Sequence, residues 1–346
     1  MATYVRQQEI GQRIGSRGRL QLKVTDADVR LRPSDNDEVR LRATFEIGAT
    51  SDEEADAVLE ASKLLVSAGS GHLDVRSPDN RDRGSLKGAL GIPDGATLRR
   101  WITGEPRISL SVEGEVPPDA EVRVETVSGD LVIKGMHGEQ RYNTVSGDQF
   151  LEELGGTVRL NAVSGDATVR GDSPISLRAE TVSGDLSVLA PRFEELRLST
   201  VSGDLEVEGE LAPRGEHRIE SVSGDLRFGL VGGATFDVRG ISTDVSAEMP
   251  HRLEGRLDRR RVIVGSGSPT VVFSSMSGDI ALRSPRRLRR SVETDEPQAA
   301  GVKPASAAAS ADTASDSALE VLRALERGEI DVEEAGRRLS GGGSDA

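Results

Sequence analysis

The tripeptide Ser-Gly-Asp recurs seven times, at Ser128-Gly129-Asp130, Ser146-Gly147-Asp148, Ser164-Gly165-Asp166, Ser183-Gly184-Asp185, Ser202-Gly203-Asp204, Ser223-Gly224-Asp225 and Ser277-Gly278-Asp279. A degraded copy stands at Ser242-Thr243-Asp244. Successive steps up to it are 18, 18, 19, 19, 21 and 19 residues, and the last gap, 35, is about two steps. Each copy sits in a longer phrase, apolar-x-apolar-x-Thr-Val-Ser-Gly-Asp-Leu-x-Val. A fixed period near 20 residues marks a stacked repeat, whose units bury apolar surface only against their neighbours. The predicted fold is mainly β: a β-solenoid (parallel β-helix-like) of ~18–21-residue coils, with a disordered linker and a small C-terminal α-hairpin.

Each coil offers two short strands joined at the Ser-Gly-Asp corner. Before the corner, alternate positions are inward candidates: Val122, Val124 and Thr126; Val158, Leu160 and Ala162; Ile175, Leu177, Ala179 and Thr181. After it the parity changes, as in Leu131 with Ile133, Ala167 with Val169, Leu186 with Val188 and Leu205 with Val207. A parity switch at a fixed place means the chain bends there. Glycine suits the bend because it reaches positive φ without a Cβ penalty, and Asp and Ser can close it on local backbone N–H groups. Gly129, Asp130 and their equivalents in every copy are therefore assigned a structural corner role. One coil cannot offset the entropy of ordering its own backbone, so only coil-to-coil stacking makes it stable, and the open ends need caps.

Residues 1–115 read as an N-terminal β region that caps and leads into the solenoid. Period-2 alternation marks Leu20–Val24, Val29–Leu31, Val39–Leu41, Phe45–Ile47, Leu73–Val75 and Ile108–Val112 as strands. Ser51 to Glu54 matches a capping box for a short helix carrying Ala55, Val58 and Leu59, and 78–91 reads as a polar loop. Residues 116–285 are the regular repeats. Residues 286–316, opening on Arg286, Arg287, Arg289 and Arg290 and then rich in Ala, Ser, Pro and Asp, read as a disordered linker. Residues 317–341 carry two capping boxes around the Gly328 stop, giving a helical hairpin with Leu319, Leu322, Leu325 and Leu339 on its apolar faces. So short a hairpin cannot bury a core alone and is expected to dock on a partner or on its own copies.

Composition narrows the chemistry. A formal net charge of −14 over 346 residues argues against nucleic acid as a partner. The chain has no Cys, which excludes disulfides and thiolate metal sites. No N-terminal apolar region and no membrane-length run appear, so a cytoplasmic location is expected, with peripheral envelope contact as the variant. The stacked aspartates would lie about 5 Å apart and repel by roughly 1 kcal/mol per pair, which invites calcium. Each corner, however, supplies one carboxylate where calcium needs six to eight oxygens, so corner hydrogen bonding is the preferred reading. The valines preceding the corners (Val127, Val145, Val163, Val182, Val201, Val222) are either an outward apolar stripe or ordinary core, and core is the expectation. His72, His137, His217 and His251 form no ligand spacing or triad-like grouping. No catalytic, cofactor or metal residues are assigned, and the arginines at 286–290 are read as a solvated linker flank.

The Thr-Val-Ser-Gly-Asp-Leu phrase at this period resembles a bacterial family of candidate adhesins of unknown function. The likeness covers roughly residues 10–283 and implies a β-solenoid. The tail from Leu319 to Leu339, with Glu326 to Ala335, resembles the short C-terminal (SHOCT-like) helical hairpins that often accompany that family and are thought to mediate association. The resemblance implies a non-enzymatic scaffold whose hairpin joins copies or recruits a protein partner. The alternative it implies is an envelope-stress sensing or ligand-binding module that recognises peptide, glycan or lipid on a solenoid face.

Overall fold

In the computed structural model the described residues are 2–78, 108–256 and 259–285. The chain divides into two units, Met1–Leu288 and Arg289–Ala346. The linker and the hairpin with Leu319, Leu322, Leu325 and Leu339 lie outside the described residues, as does most of the 78–91 loop.

The N-terminal region contributes β1 (Ala2–Arg13), β2 (Arg19–Lys23), β3 (Ala27–Pro33), β4 (Glu38–Ala49), the helix α1 (Asp52–Ser62), β5 (Leu65–Gly69), β6 (His72–Arg76) and β7 (Ile108–Val116). The repeats supply β8 (Glu121–Ser128), β9 (Leu131–Lys134), β10 (Glu139–Ser146), β11 (Gln149–Ala162), β12 (Ala167–Ser183), β13 (Leu186–Ser202), β14 (Leu205–Leu211), β15 (His217–Ser223) and β16 (Leu226–Val231). The far end is built from β17 (Ala234–Ser242), β18 (Val245–Ala247), β19 (His251–Arg256), β20 (Arg259–Val264), β21 (Thr270–Ser277) and β22 (Ile280–Arg283).

These strands make a two-faced β-solenoid. On the face before the corners, β2, β8, β10, the second halves of β11, β12 and β13, then β15, β21 and β17 run parallel and in register. On the face after the corners the order is β7, β3, β9, the first halves of β11 to β13, then β14, β16, β22 and β18. The inward residues are the ones alternation marked: Val122, Val124, Leu131, Ile133, Val158, Leu160, Leu177, Leu186, Val188, Leu205 and Val207 are all buried. Phe193, Phe228, Phe236 and Phe273 thicken the core toward the far end, and the Phe228 and Phe236 rings meet edge to face at 5.3 Å.

Both ends depart from simple sequential stacking. The coil carrying Gly278 lies directly on the coil carrying Gly224, and the earlier coil with Thr243 lies outside it. At the other end, β2 and β3 form a coil inserted between β6–β7 and β8–β9. Antiparallel strands close the stack: β4 on β7 and β1 on β4, β5 on β6, and β20 with β19 beyond β17. The helix α1 forms where its cap requires. Ser51 accepts the Glu54 N–H at 3.2 Å, Glu54 accepts the Thr50 N–H at 2.8 Å, and Ala55, Val58 and Leu59 are buried.

The corner glycines adopt φ between +106° and +131°. Each is packed so closely on the coil beneath that a Cβ at Gly184 would sit 2.2 Å from the Gly165 carbonyl oxygen. Gly232 also has positive φ (+90°) but faces open space. Gly184→Ala is therefore expected to cost roughly 3 kcal/mol or more, against roughly 1 kcal/mol for Gly232→Ala. Paired thermal melts check the ranking, and equal losses would show that stacking does not select the glycine.

Candidate functional site

Every position of the repeat phrase has its own task at the corner. In several copies the Thr hydroxyl donates back to the corner serine carbonyl, from Thr126 to Ser128 at 3.0 Å and from Thr200 to Ser202 at 3.2 Å, whereas the buried Thr144 hydroxyl has no partner among the described residues. The Ser hydroxyl reaches the coil beneath, from Ser146 to the Val127 carbonyl and from Ser164 to the Val145 carbonyl, both at 3.2 Å. The aspartates form a ladder. Asp148 N–H donates to Asp130 Oδ1 at 2.9 Å, Asp166 to Asp148 at 2.9 Å, Asp185 to Asp166 at 2.8 Å, Asp204 to Asp185 at 2.8 Å and Asp225 to Asp204 at 3.0 Å. It continues through Asp279 on Asp225 and ends with Asp244 on Asp279, each at 2.9 Å, and it begins with Asp130 N–H on Asp28 Oδ1 at 3.1 Å. Returning bonds run the other way: Leu131 N–H donates to the Asp148 carbonyl and Leu186 N–H to the Asp204 carbonyl, both at 2.9 Å.

Where the ladder meets a cation the charge is fixed further. The Asp225 N–H and then the Arg227 guanidinium, 2.7 Å away, hold the Asp204 carboxyl below the usual carboxylate range. Among the described residues no group of three or more His, Asp or Glu side chains converges as a metal site. The histidines keep separate local partners. His137 Nε2 lies 3.3 Å from Asp172, His251 Nδ1 lies 3.0 Å from the Met249 carbonyl, and buried His217 donates from Nε2 to the Ala212 carbonyl at 2.9 Å. Burial pushes the His217 imidazole below its ordinary range.

The pre-corner valines are not core, contrary to the expectation from sequence. The strand stays flat through Thr126, Val127 and Ser128, so Thr126 points in and Val127 points out. Val127, Val145, Val163, Val182, Val201 and Val222 are each 42–47% exposed, and Met276, on the coil above Val222, is 57% exposed. These seven side chains make one unbroken apolar stripe, about 29 Å long at a coil spacing of ~4.8 Å.

Two rows inward on the same face runs a column of arginines, with Arg123, Arg141, Arg159, Arg178, Arg197 and Arg218 stacked in register. Carboxylates flank them: Arg123 lies 2.5 Å from Glu121, Arg178 lies 2.6 Å from Glu180, Arg197 lies 2.6 Å from Glu216 and Arg218 lies 2.6 Å from Glu220, and Arg159 pairs with Glu139. These arginines are therefore mostly neutralised in place. On the opposite face, a cleft of about 750 Å³ opens over β1, β4, β7, β3 and β9. Its outer lining mixes Arg30, Arg32, Arg40, Arg42 and Lys134 with Glu9, Glu38, Glu113 and Glu115 around Gly11, Gly114 and Val132. Every one of the five cations is paired with a carboxylate, as in Arg32 with Glu115 at 2.6 Å and Lys134 with Glu152 at 2.7 Å.

The ladder makes a sharp distinction between acceptor and charge. Asp166→Asn keeps an oxygen for the Asp185 N–H and is expected to be nearly neutral, whereas Asp166→Ala strands that donor and costs about 1–2 kcal/mol. Melts of both variants, with and without millimolar calcium, check this. A calcium-dependent rise of the midpoint that Asp166→Asn abolishes would overturn it.

A comparison with curated proteins gives no match. Among solved structures, a candidate adhesin (BF0245) from Bacteroides fragilis NCTC 9343 is 10% identical, with 80% of this chain and 97% of that one covered and a TM-score of 0.43. A candidate lipid binding protein from Parabacteroides distasonis ATCC 8503 is 13% identical, with 80% and 96% covered and a TM-score of 0.40. A candidate cell adhesion protein from Clostridium sporogenes ATCC 15579 is 9% identical, with 81% and 100% covered and a TM-score of 0.22. The family model Toastrack DUF4097 matches residues 18–283, which span the whole stack from β2 to β22. With its corner ladder and two-faced coil in place over that length, the chain belongs to the Toastrack DUF4097 family.

Proposed function

We propose that this chain is a non-enzymatic, adhesin-like scaffold: a β-solenoid that offers one apolar stripe to a protein partner. In this reading the C-terminal hairpin around Leu319, Leu322, Leu325 and Leu339 joins copies or recruits that partner. The stripe of Val127 to Met276 carries the reading. Contiguous exposed apolar surface in one line marks an interaction site far more often than scattered single residues do. A stripe on a hydrogen-bonded ladder also loses little conformational freedom when a partner seats on it, which favours binding. Removal of residues 317–346 is expected to lower the mass measured by light scattering. An unchanged mass would count against the hairpin's role, and the stripe would then stand alone.

A second reading, a ligand-binding module with a role at the cell envelope, draws on the cleft. A lining in which Val132 and the aliphatic stems of five cations lie among paired charges suits an anionic amphiphile better than a bare anion. Among the described residues no helix is long and apolar enough to cross a membrane. The expected outcome is co-sedimentation with phosphatidylglycerol vesicles but not with phosphatidylcholine vesicles, weakened at least fivefold by Arg30→Glu with Arg42→Glu. Equal sedimentation with both vesicles would remove this reading.

A further inference from the structure

Four strands end the two faces, and each pairs on one side only among the described residues: β1, β5, β18 and β19. Three of them are short, with 5, 3 and 6 residues. Shortness is a common protection for an edge, because few free N–H and C=O groups are presented. β1 differs in length, and its protection is limited to charged side chains, inward-pointing Arg6 among them. It runs 12 residues in unbroken antiparallel register with β4, without a bulge and without proline. Its inward side chains are already pinned. Arg6 bonds Asp52 at 2.7 Å and Asp56 at 2.8 Å on α1, and Gln8 both donates to the Leu64 carbonyl at 3.0 Å and accepts the Leu64 N–H at 2.9 Å. The edge is thus long and held in one register.

We propose that β1 is an intermolecular pairing edge, and that its occupant is the β1 of a second copy of this chain, antiparallel across a two-fold axis through Gln7. A two-fold normal to the sheet sets residues of the same face opposite each other, so paired residue numbers must sum to an even value. A sum of 14 pairs Ala2 through Gln12 with their mates. It puts Tyr4 opposite Ile10 on the inward face twice, once from each copy, where both already pack against the core. Arg6 then faces Gln8, and Val5 faces Glu9. The neighbouring registers are worse. A sum of 12 sets Arg6 against Arg6 and a sum of 18 sets Glu9 against Glu9, both like-charge pairs. A sum of 16 leaves Arg6 opposite Ile10 and Tyr4 opposite Gln12. The pairing extends the after-corner face continuously from one copy into the next and uses no residue of the apolar stripe or the C-terminal hairpin. Equal cross-linking of two cysteine variants on β1 would remove the pairing alone and leave the scaffold reading untouched.

The absence of native cysteine makes the test direct. Exposed Gln7 changed to Cys in the full chain places two thiols opposite each other on the axis, within reach of a short bismaleimide. Exposed Glu9 changed to Cys places them about 14 Å apart, four residues along the strand. The expected results are a mass of at least twice the 36.8 kDa chain and rapid cross-linking of Gln7→Cys, at least tenfold faster than Glu9→Cys. Gln7→Glu, which sets carboxylate against carboxylate on the axis, should raise the dissociation constant about three- to fivefold while leaving the circular dichroism unchanged. A single-chain mass at 100 µM, or equal cross-linking rates for the two cysteine variants, overturns the pairing.

Discussion

The bond from each aspartate N–H to the aspartate carboxylate one coil below fixes how this stack is assembled. Many residues can close a turn. Only a short acidic or amide side chain on the glycine's C-terminal side reaches down to the next backbone donor while its own carbonyl accepts from the coil above. Charge-assisted acceptors are stronger than neutral ones, and this one repeats from Asp28 to Asp244 without a break. The ladder also answers the repulsion that stacked carboxylates would otherwise carry, because each gains a backbone donor of fixed orientation. It locks the register of the corner, and the register places Val127 and its equivalents outside. The apolar stripe is a geometric consequence of the acidic column.

The ends obey a different constraint. Neither Ala27 nor Thr243, which occupy the glycine slot in the outermost corners, adopts positive φ. Both coils give up the tight corner: the Ala27 coil still pairs in parallel with β6 and β7, whereas β17 of the Thr243 coil meets the antiparallel β20. The far cap closes around Asp237, whose carboxyl is held below its ordinary range by Arg259, at 3.1 Å, and by Arg239. Paired charges there take over the role that repetition has in the middle.

The solenoid was legible because its period is carried by a few residue types with strict backbone demands. The inward rows Val122 to Val207 followed from alternation alone. Three features were not legible, for separate reasons. β1 lacks an apolar row, since Arg6 and Gln8 face inward to bond α1 and Leu64 rather than to fill a core. The outward valines looked like core because β-branched residues suit both faces of a strand, and only the position of the bend separates the two. The exchange of the last two coils leaves almost no sequence mark beyond the 35-residue gap and the lost glycine at Thr243. Gln149 is a further exception: it takes an inward position that Leu131 holds in the coil below, and its amide finds no hydrogen-bond partner among the described residues. For the site, the expectation that Asp and Ser close the corner on local backbone N–H groups gives way to bonds between coils, a pairing that only the stacked register sets.

The inverted order of the last two coils has a bearing on biosynthesis. As the polypeptide leaves the ribosome, layers can be added one by one as far as Gly224, but the layer that must rest there next is made only after the intervening β17 to β20 have emerged. Those strands can take their final place only once the Gly278 segment lies between them and the Gly224 coil. Growth of the column therefore cannot be purely vectorial at its far end.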